Sequence, residues 1–485
     1  MIPEVSLTAV LVIVFIADFI TAPRVADGVV AAGGTFKAPR RWFNPLVCVL
    51  VLAHTLLNLA PAETASSFAG MYVTDASIGI IKSILAFGTL IVLIQSREWL
   101  SRPDTFFKEG EFYLLTLSTL LGMNMMVSAG HFLLFFLGLE LASVPMACLV
   151  AFDKYRHNSA EAGAKFVLTA TFSSGVMLYG ISMLYGATGT LYFADFTEKL
   201  AATPMTIVGM VFFISGLGFK ISLVPFHFWT ADSYQGAPTT VTGYLSVISK
   251  GAAAFALCAI LMKVFAPMVT YWQYMLFIVI VLSITVANLF AIHQSDLKRF
   301  MAFSSISQAG YIVLAIVGNQ ATSVYALSFY VLIYVVANMA VFTIISSIEE
   351  HNNGVVDMDS YNGLYQTNPR LAFLMTLALF SLGGIPPFAG MFSKFFVFMA
   401  AVNGADIATT TGALAYTVVF IALVNTVISL YYYLLIVKAM YIKPNEHPLP
   451  TFQSAASTKI ALAVCTAGVL LFGVCSMVYD WIALA

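Results

Sequence analysis

A chain of 485 residues that is 60% hydrophobic and only 9% charged, with a mean hydropathy of +0.92, falls far below the about 25% charge of a soluble domain. That excludes a water-soluble enzyme or carrier, and a formal charge of -1, from 22 Lys and Arg against 23 Asp and Glu, leaves no basic excess for nucleic acid. The chain reads as an all-α polytopic membrane protein.

Apolar segments of spanning length recur along the whole chain. They are predicted at 4-22, 44-60, 76-95, 111-128, 130-151, 164-187, 203-228, 237-265, 272-293, 300-318, 322-348, 371-400, 413-440 and 457-483, about fourteen helices. The first carries Glu4, no basic leader and Asp18 near its end, so it reads as a retained helix and not a cleaved signal. Cys48, Cys148, Cys258, Cys465 and Cys475 lie singly in apolar runs, without metal or redox spacing. They read as small packing residues.

Loop charge tests the helix count independently. Fifteen basic residues fall in loops after odd-numbered helices: Arg24, Lys37, Arg40, Arg41, Arg97, Arg102, Lys108, Lys154, Arg156, Lys298, Arg299, Arg370, Lys438, Lys443 and Lys459. Only Lys199 and Lys263 fall on the other side. The positive-inside rule then places the odd loops in the cytoplasm and both termini outside. The remaining five, Lys82, Lys165, Lys220, Lys250 and Lys394, lie within predicted helices, where insertion costs roughly 2.5–3.5 kcal/mol each. Glu140 is the one acid near the middle of a span, with Asp18 and Glu161 nearer helix ends. Some of the lysines must therefore be neutral, hydrated or close to an interface.

Backbone breaks accompany these charges. Pro225 lies inside helix seven, Pro238 starts helix eight, and Gly383-Gly384-Ile385-Pro386-Pro387 interrupts helix twelve. Irregular backbone at membrane depth is tolerated where protein buries it or where it lines a hydrated cavity. Pro225 removes the donor for the Ile221 carbonyl, leaving a site for water or a polar side chain. Helices seven and twelve are five apart and each holds a lysine near its break, the layout of two inverted five-helix repeats. The chain divides accordingly into 1-110, a three-helix segment; 111-265, the first repeat, helices four to eight; 266-440, the second, helices nine to thirteen; and 441-485, a loop and helix fourteen. Glu140 stands five residues before Pro145 and Lys220 five before Pro225, so the two charges invite a pair.

For Lys220 the sequence leaves open a buried structural ion pair or a proton carrier; Lys250, mid-span, and Lys394, beyond the second break, pose the same choice. Lys165 can snorkel from its helix end. Lys82 has no broken helix around it and is expected to face a partner protein or anionic lipid. His227 closes a broken helix or shuttles protons, and His293 reads as interfacial. Ser222, Tyr234, Thr239, Thr242, Ser246, Ser304, Ser305, Ser307 and Gln308 either hold water between the charges or pack helices. No P-loop, dinucleotide fingerprint or paired metal cysteines occur, so the chemistry indicated is movement of charge.

The block GLGFKISLVPFHFWTADSYQGAPTTV, with LGLELASVP upstream and DLKRFMAFSSISQAGY and GGIPPFAGMFSKFFVF downstream, closely resembles the antiporter-like membrane subunits of respiratory complex I, relatives of multi-component cation/proton antiporters. Similarity is clearest over about 100-440. Lys394 where relatives carry glutamate, and an end soon after helix fourteen, favour the N type of bacterial NADH:quinone oxidoreductase over the M and L types. The resemblance implies that Glu140 and Lys220 are partners whose association sets the lysine's proton affinity. It implies that Lys250 is the central lysine, Lys394 that of the second break, Lys165 an additional helix-six lysine, and His227 the histidine after the first break. Gln308 departs from the histidine that relatives often carry, and helix eleven offers Tyr334 and Asn338 but no histidine or lysine, so passage from Lys250 to Lys394 is expected to depend on water.

The resemblance further implies no cofactor in this chain, FMN and iron-sulfur clusters in partner subunits, and quinone bound elsewhere in the complex. K-type and M-type membrane subunits are the expected neighbours, with lipids around the chain, peripheral redox subunits acting at a distance, and a bacterial inner membrane as the location. Two rivals remain on sequence alone: a cation/proton antiporter component working without redox input, and a scaffold that docks pump subunits but carries no protons.

Overall fold

Apolar runs punctuated by capping polar residues, prolines and glycines give helices that the computed structural model describes over residues 1–22, 40–60, 64–153, 156–352, 354–445, 449–475 and 477–484. The loop residues Arg24, Lys37 and Lys154 lie outside them. The N-terminal part holds α1 (Ile2–Thr21), α2 (Phe43–Asn58), a hairpin of β1 (Ala65–Ser67) and β2 (Tyr72–Thr74), and α3 (Ala76–Leu100). Then come α4 (Glu109–Val127), α5 (Phe132–Val150), α6 (His157–Thr188), the short α7 (Phe193–Lys199), α8 (Pro204–Ile221), α9 (Phe228–Gly236), α10 (Thr239–Tyr244) and α11 (Lys250–Lys263). A π turn over Leu245–Ser249 joins the last two. The remainder is α12 (Val269–Ile292), α13 (Leu297–Leu314), α14 (Ala321–His351), α15 (Leu364–Thr367), α16 (Pro369–Gly383), α17 (Ala389–Val402), α18 (Thr410–Tyr441), α19 (Ala456–Val474) and α20 (Met477–Leu484).

Helix starts follow from side-chain acceptors that satisfy otherwise open N–H groups. Asp75 accepts from Ile78 N at 2.7 Å, and Asp296 from Arg299 N at 2.8 Å. Thr203 caps α8 ahead of Pro204 at the first helical position, where proline gives up no hydrogen bond. Ten helices among the described residues are long and apolar enough to cross a membrane, and Phe43–Asn58, Pro369–Gly383 and Ala389–Val402 are shorter apolar helices. The chain is a multi-span membrane protein. Helix α14 and the α10–α11 unit are almost wholly enclosed, whereas α1, α6 and α18 present most of their surface outward.

Two sets of helices share one pairing pattern. In the first, α4 packs on α5 and α11 while α6 packs on α8 and α9; in the second, α12 packs on α13 and α18 while α14 packs on α16 and α17. The ends of the molecule are also sorted. Residues from the α3–α4, α5–α6, α9–α10 and α12–α13 connections, and from the chain after α14, line one polar cavity of about 380 Å³ that includes Arg102, Asp153, Arg156, Pro238 and Lys298. At the opposite ends, Tyr72 bridges Ala129 and His131 bridges Tyr192. Arg102, Arg156 and Lys298, three of the basic residues counted on odd loops, thus share a face with one another.

Some boundaries differ from the sequence reading. The seventh span does not stop at 228: α8 ends at Ile221, residues 222–227 form the break, and α9 continues to Gly236. The last span is divided at Cys475, where α19 gives way to α20. Neither the β-hairpin nor α7 was expected, because both lie in short polar connections with little periodicity.

Candidate functional site

Both broken helices end in the same way. Ser222 (φ 66°) and Gly384 (φ +82°) adopt the left-handed conformation at the ends of α8 and α16. The following N–H groups reach back five residues in each case, Leu223 N to Gly218 O at 2.9 Å and Ile385 N to Phe380 O at 3.0 Å. This closing motif satisfies carbonyls that a straight helix end leaves open. Glycine suits position 384 because a Cβ there meets Lys394 Cδ at 3.2 Å as well as the backbone strain. Around the first break the carbonyl that takes a side-chain donor is Phe219, from Trp229 Nε1 at 3.1 Å, and not Ile221 as Pro225 alone suggested. The helix has already turned away at Ser222 before the proline is reached.

Of the five lysines within helices, two have carboxylate partners. Lys82 is fully enclosed and its Nζ lies 2.5 Å from Glu4 Oε1. Tyr72 donates to Glu4 Oε2 at 2.6 Å, and Ser6 and Asn58 hold His54 close by, at 2.7 and 3.1 Å. Lys82 therefore faces neither lipid nor a partner protein, which corrects the expectation from its sequence position; the acid that neutralises it comes from the far end of α1. Lys165 is exposed and pairs with Glu161 and Asp232, both at 2.7 Å. Arg299 joins the same aspartate at 2.7 Å and also donates to Gln235 at 3.0 Å. Asp232 sits inside the resembling block but carried no assigned role on sequence.

The other three are buried without a carboxylate oxygen within 4.0 Å among the described residues, and each rests on one neutral oxygen and one aromatic face. Lys220, in the last turn of α8, donates to Ser143 Oγ at 2.8 Å and lies 5.9 Å from the Phe166 ring centre. Lys250, immediately after the π turn, donates to Ser305 Oγ at 2.7 Å and lies 5.3 Å from the Tyr234 ring. Lys394 approaches Gly383 O at 3.3 Å and the Tyr311 ring at 5.0 Å. A charged ammonium gains some stabilisation from such rings, but nothing close to that of an ion pair at 2.5 Å.

Glu140 and Lys220 do not form the ion pair that their spacing invited. Glu140 is half-buried on the outward side of α5, between exposed Leu137 and Val144, and its Oε1 accepts from Ser174 Oγ of α6 at 2.5 Å. Ser143, one turn further along α5, takes Lys220 instead. The α5 backbone is held by close approach to α4: a Cβ at Gly138 meets Met126 N at 2.6 Å and Gly122 O at 2.8 Å. Glu140 and Ser143 stand three residues apart on α5, so the glutamate and the lysine are near neighbours that do not touch. His227 is buried at the start of α9, its ring stacked on Phe228 with centres 4.7 Å apart.

Between Lys250 and Lys394, where passage was expected to depend on water, the structure places a run of polar side chains. Ser304, the neighbour of Ser305, contacts Tyr433 OH at 2.6 Å; Gln308 Nε2 donates to the same hydroxyl at 3.2 Å; and Tyr330 donates to Gln308 Oε1. Gln308, Tyr330, Tyr334 and Lys394 then line one cavity of about 10 Å³ of water-centre space, room for about one water. The sequence reading omitted Tyr330 and Tyr433. Their signal was a tyrosine in mid-span, and Tyr433 is hidden within the run Tyr431-Tyr432-Tyr433.

The chain matches the family described as NADH:quinone oxidoreductase/Mrp antiporter, TM, over residues 129–440. It is 58% identical over 478 residues to NADH-quinone oxidoreductase subunit N of Phocaeicola vulgatus, covering 98% of this chain and 96% of the relative. With the protein of the same name from Azobacteroides pseudotrichonymphae it shares 46% over 482 residues, covering 99% and 96%. Among solved structures, a chain of respiratory complex I from Thermus thermophilus with bound aureothin has 30% identity and a TM-score of 0.78, covering 99% of this chain and 98% of that one. A chain of the Mrp complex from Dietzia sp. superposes with a TM-score of 0.82 at 17% identity, covering 99% and 95%, a likeness of fold. This chain belongs to the NADH:quinone oxidoreductase/Mrp antiporter family of membrane subunits.

Proposed function

We propose that the chain is the N-type proton-translocating membrane subunit of a bacterial NADH:quinone oxidoreductase, moving protons along Lys220, Lys250 and Lys394. The observation that carries this reading is the sorting of the lysines. Three buried ones have no carboxylate within ion-pair distance among the described residues and rest on neutral oxygens, so each can gain or lose a proton without leaving a paired carboxylate stranded. His227 lies after the first break as a relay, and the exposed Lys165, with Glu161 and Asp232, gathers protons at the rim. The Ser304–Tyr433–Gln308–Tyr330 run and a water beside Lys394 supply the later part of the path.

Glu140 is the control element. Held by Ser174 on the outward side of α5, it is reachable from a neighbouring subunit, and turning it toward or away from Lys220 changes how firmly the lysine holds its proton. One pKa unit corresponds to about 1.36 kcal/mol, and moving one charge against 100 mV costs about 2.3 kcal/mol. A swing of a few units therefore matches the work required. Redox energy enters through partner subunits that hold FMN and iron-sulfur clusters, with quinone bound outside this chain; K-type and M-type subunits are the membrane neighbours. We read residues 111-265 and 266-440 as the inverted repeats, the basic loops as cytoplasmic and both termini as periplasmic.

The test uses the assembled complex in vesicles supplied with NADH and quinone. Lys220→Ala and Glu140→Ala are expected to assemble but to lose most proton pumping per electron. Full activity with an unchanged proton-to-electron ratio in both variants overturns the proposal.

A further inference from the structure

Away from the lysine row, a cavity of about 700 Å³ opens between α16 and α19, within the roughly 300–1,000 Å³ range of small-molecule sites. Arg370 lies in the first turn of α16 and Lys459 in the first turn of α19, and both line it. Both are exposed, and neither has an ion pair or hydrogen bond among the described residues. No carboxylate among the described residues lines the cavity. Both cations thus stand in the first turn of their helices on the wall of one cavity. From Arg370 the wall continues inward through Leu371 and Leu374, and from Lys459 through Leu462 and Ala463. These positions share a helix face with their cation at i+3 and i+4 spacing or adjoin it. The result is a doubly cationic mouth over an apolar trough.

We propose that this groove binds one anionic diacyl phospholipid, its phosphate between Arg370 and Lys459 and one acyl chain against Leu371, Leu374, Leu462 and Ala463. Charge complementarity selects the headgroup: two unpaired cations in a wall whose described residues include no carboxylate favour an anionic lipid over a zwitterionic one, whose own cation would be repelled. The apolar wall selects a lipid over a free phosphate, which would leave the trough without a partner. Basic pockets between membrane helices are suited to anionic headgroups on general electrostatic grounds.

The test labels solubilised membranes with phosphatidylglycerol carrying a photoreactive diazirine in one acyl chain, isolates the complex that contains the full chain, and maps adducts by mass spectrometry. Adducts are expected on the first halves of α16 and α19, with phosphatidylcholine bearing the same diazirine labelling them far less. R370Q/K459Q is expected to weaken phosphatidylglycerol labelling about thirty-fold, equivalent to about 2 kcal/mol for two cations, while R370K/K459R retains it. Leu374→Trp, which fills the trough but keeps both charges, is expected to abolish labelling there while adducts elsewhere on the chain persist. Equal labelling by both lipids, insensitivity to R370Q/K459Q, displacement by inorganic phosphate, or a protein segment cross-linked into the groove each overturns the proposal.

Discussion

Lys82 and Lys220 are both lysines enclosed at membrane depth, and they are held in opposite ways. Lys82 meets Glu4 at 2.5 Å, with Tyr72 bonded to the same carboxylate. Lys220 meets a serine at 2.8 Å, and the nearby glutamate is turned outward onto another serine. The first arrangement is a locked pair that gives the N-terminal helices a fixed relation; the second is a divided pair whose members can be brought together or kept apart. A buried charge is thus no sign of function until its partner is known.

The largest effect comes from breaking the locked pair. Glu4→Leu leaves Lys82 enclosed and uncompensated, which is expected to cost about 3–5 kcal/mol and to appear as a loss of assembled complex on native gels. Adding Lys82→Leu is expected to restore most of the yield, since a matched apolar pair replaces the ions. Whatever assembles should pump normally; normal assembly with lost pumping would move Lys82 into the functional row.

The divided pair should respond in the reverse sense. Glu140→Leu is expected to leave assembly and thermal stability nearly unchanged while proton-pumping turnover falls by about tenfold or more, the effect of one pKa unit or above on Lys220. Ser174→Ala sharpens this further: it removes the outward anchor of Glu140, a bond to a charged group of about 1.5–3 kcal/mol, and should slow turnover by up to about tenfold through a carboxylate that stays with Lys220. A drop in assembly instead of turnover would class Ser174 as packing. Tyr72→Phe trims the locked pair without breaking it: losing the bond to the Glu4 carboxylate and the one Lys82 donates is expected to cost about 1.5–3 kcal/mol, read as a lower melting temperature of the purified complex with pumping intact.

Spans, breaks and the positions of the buried lysines were legible because twenty-residue apolar periods and prolines are local signals. The sorting of those lysines was not. Glu4 lies 78 residues from Lys82, near a helix end, and only the packing of α1 and α3 against the shared neighbours α2 and α4 brings the two together. Asp232 was visible in the motif, yet its partners Lys165 and Arg299 are each 67 residues away. The outward rotation of Glu140 was equally hidden: five-residue spacing to proline in α5 and α8 sets depth along the membrane but not the direction around a helix. Tyr330 and Tyr433 were missed because a phenol in an apolar span is indistinguishable from packing until Gln308 is seen between them.

The π turn at Leu245–Ser249 places one residue more in a helical turn than an α-helix accommodates. Lys250 follows it directly, so the turn works as a phase shifter for everything on α11. Tightening it to α geometry would rotate α11 against α10 by roughly 100°, the angle of one residue in an α-helix. Lys250 would then leave Ser305 and address a different wall of the bundle. The hydrogen-bond register of this one turn thus sets which neighbour Lys250 addresses.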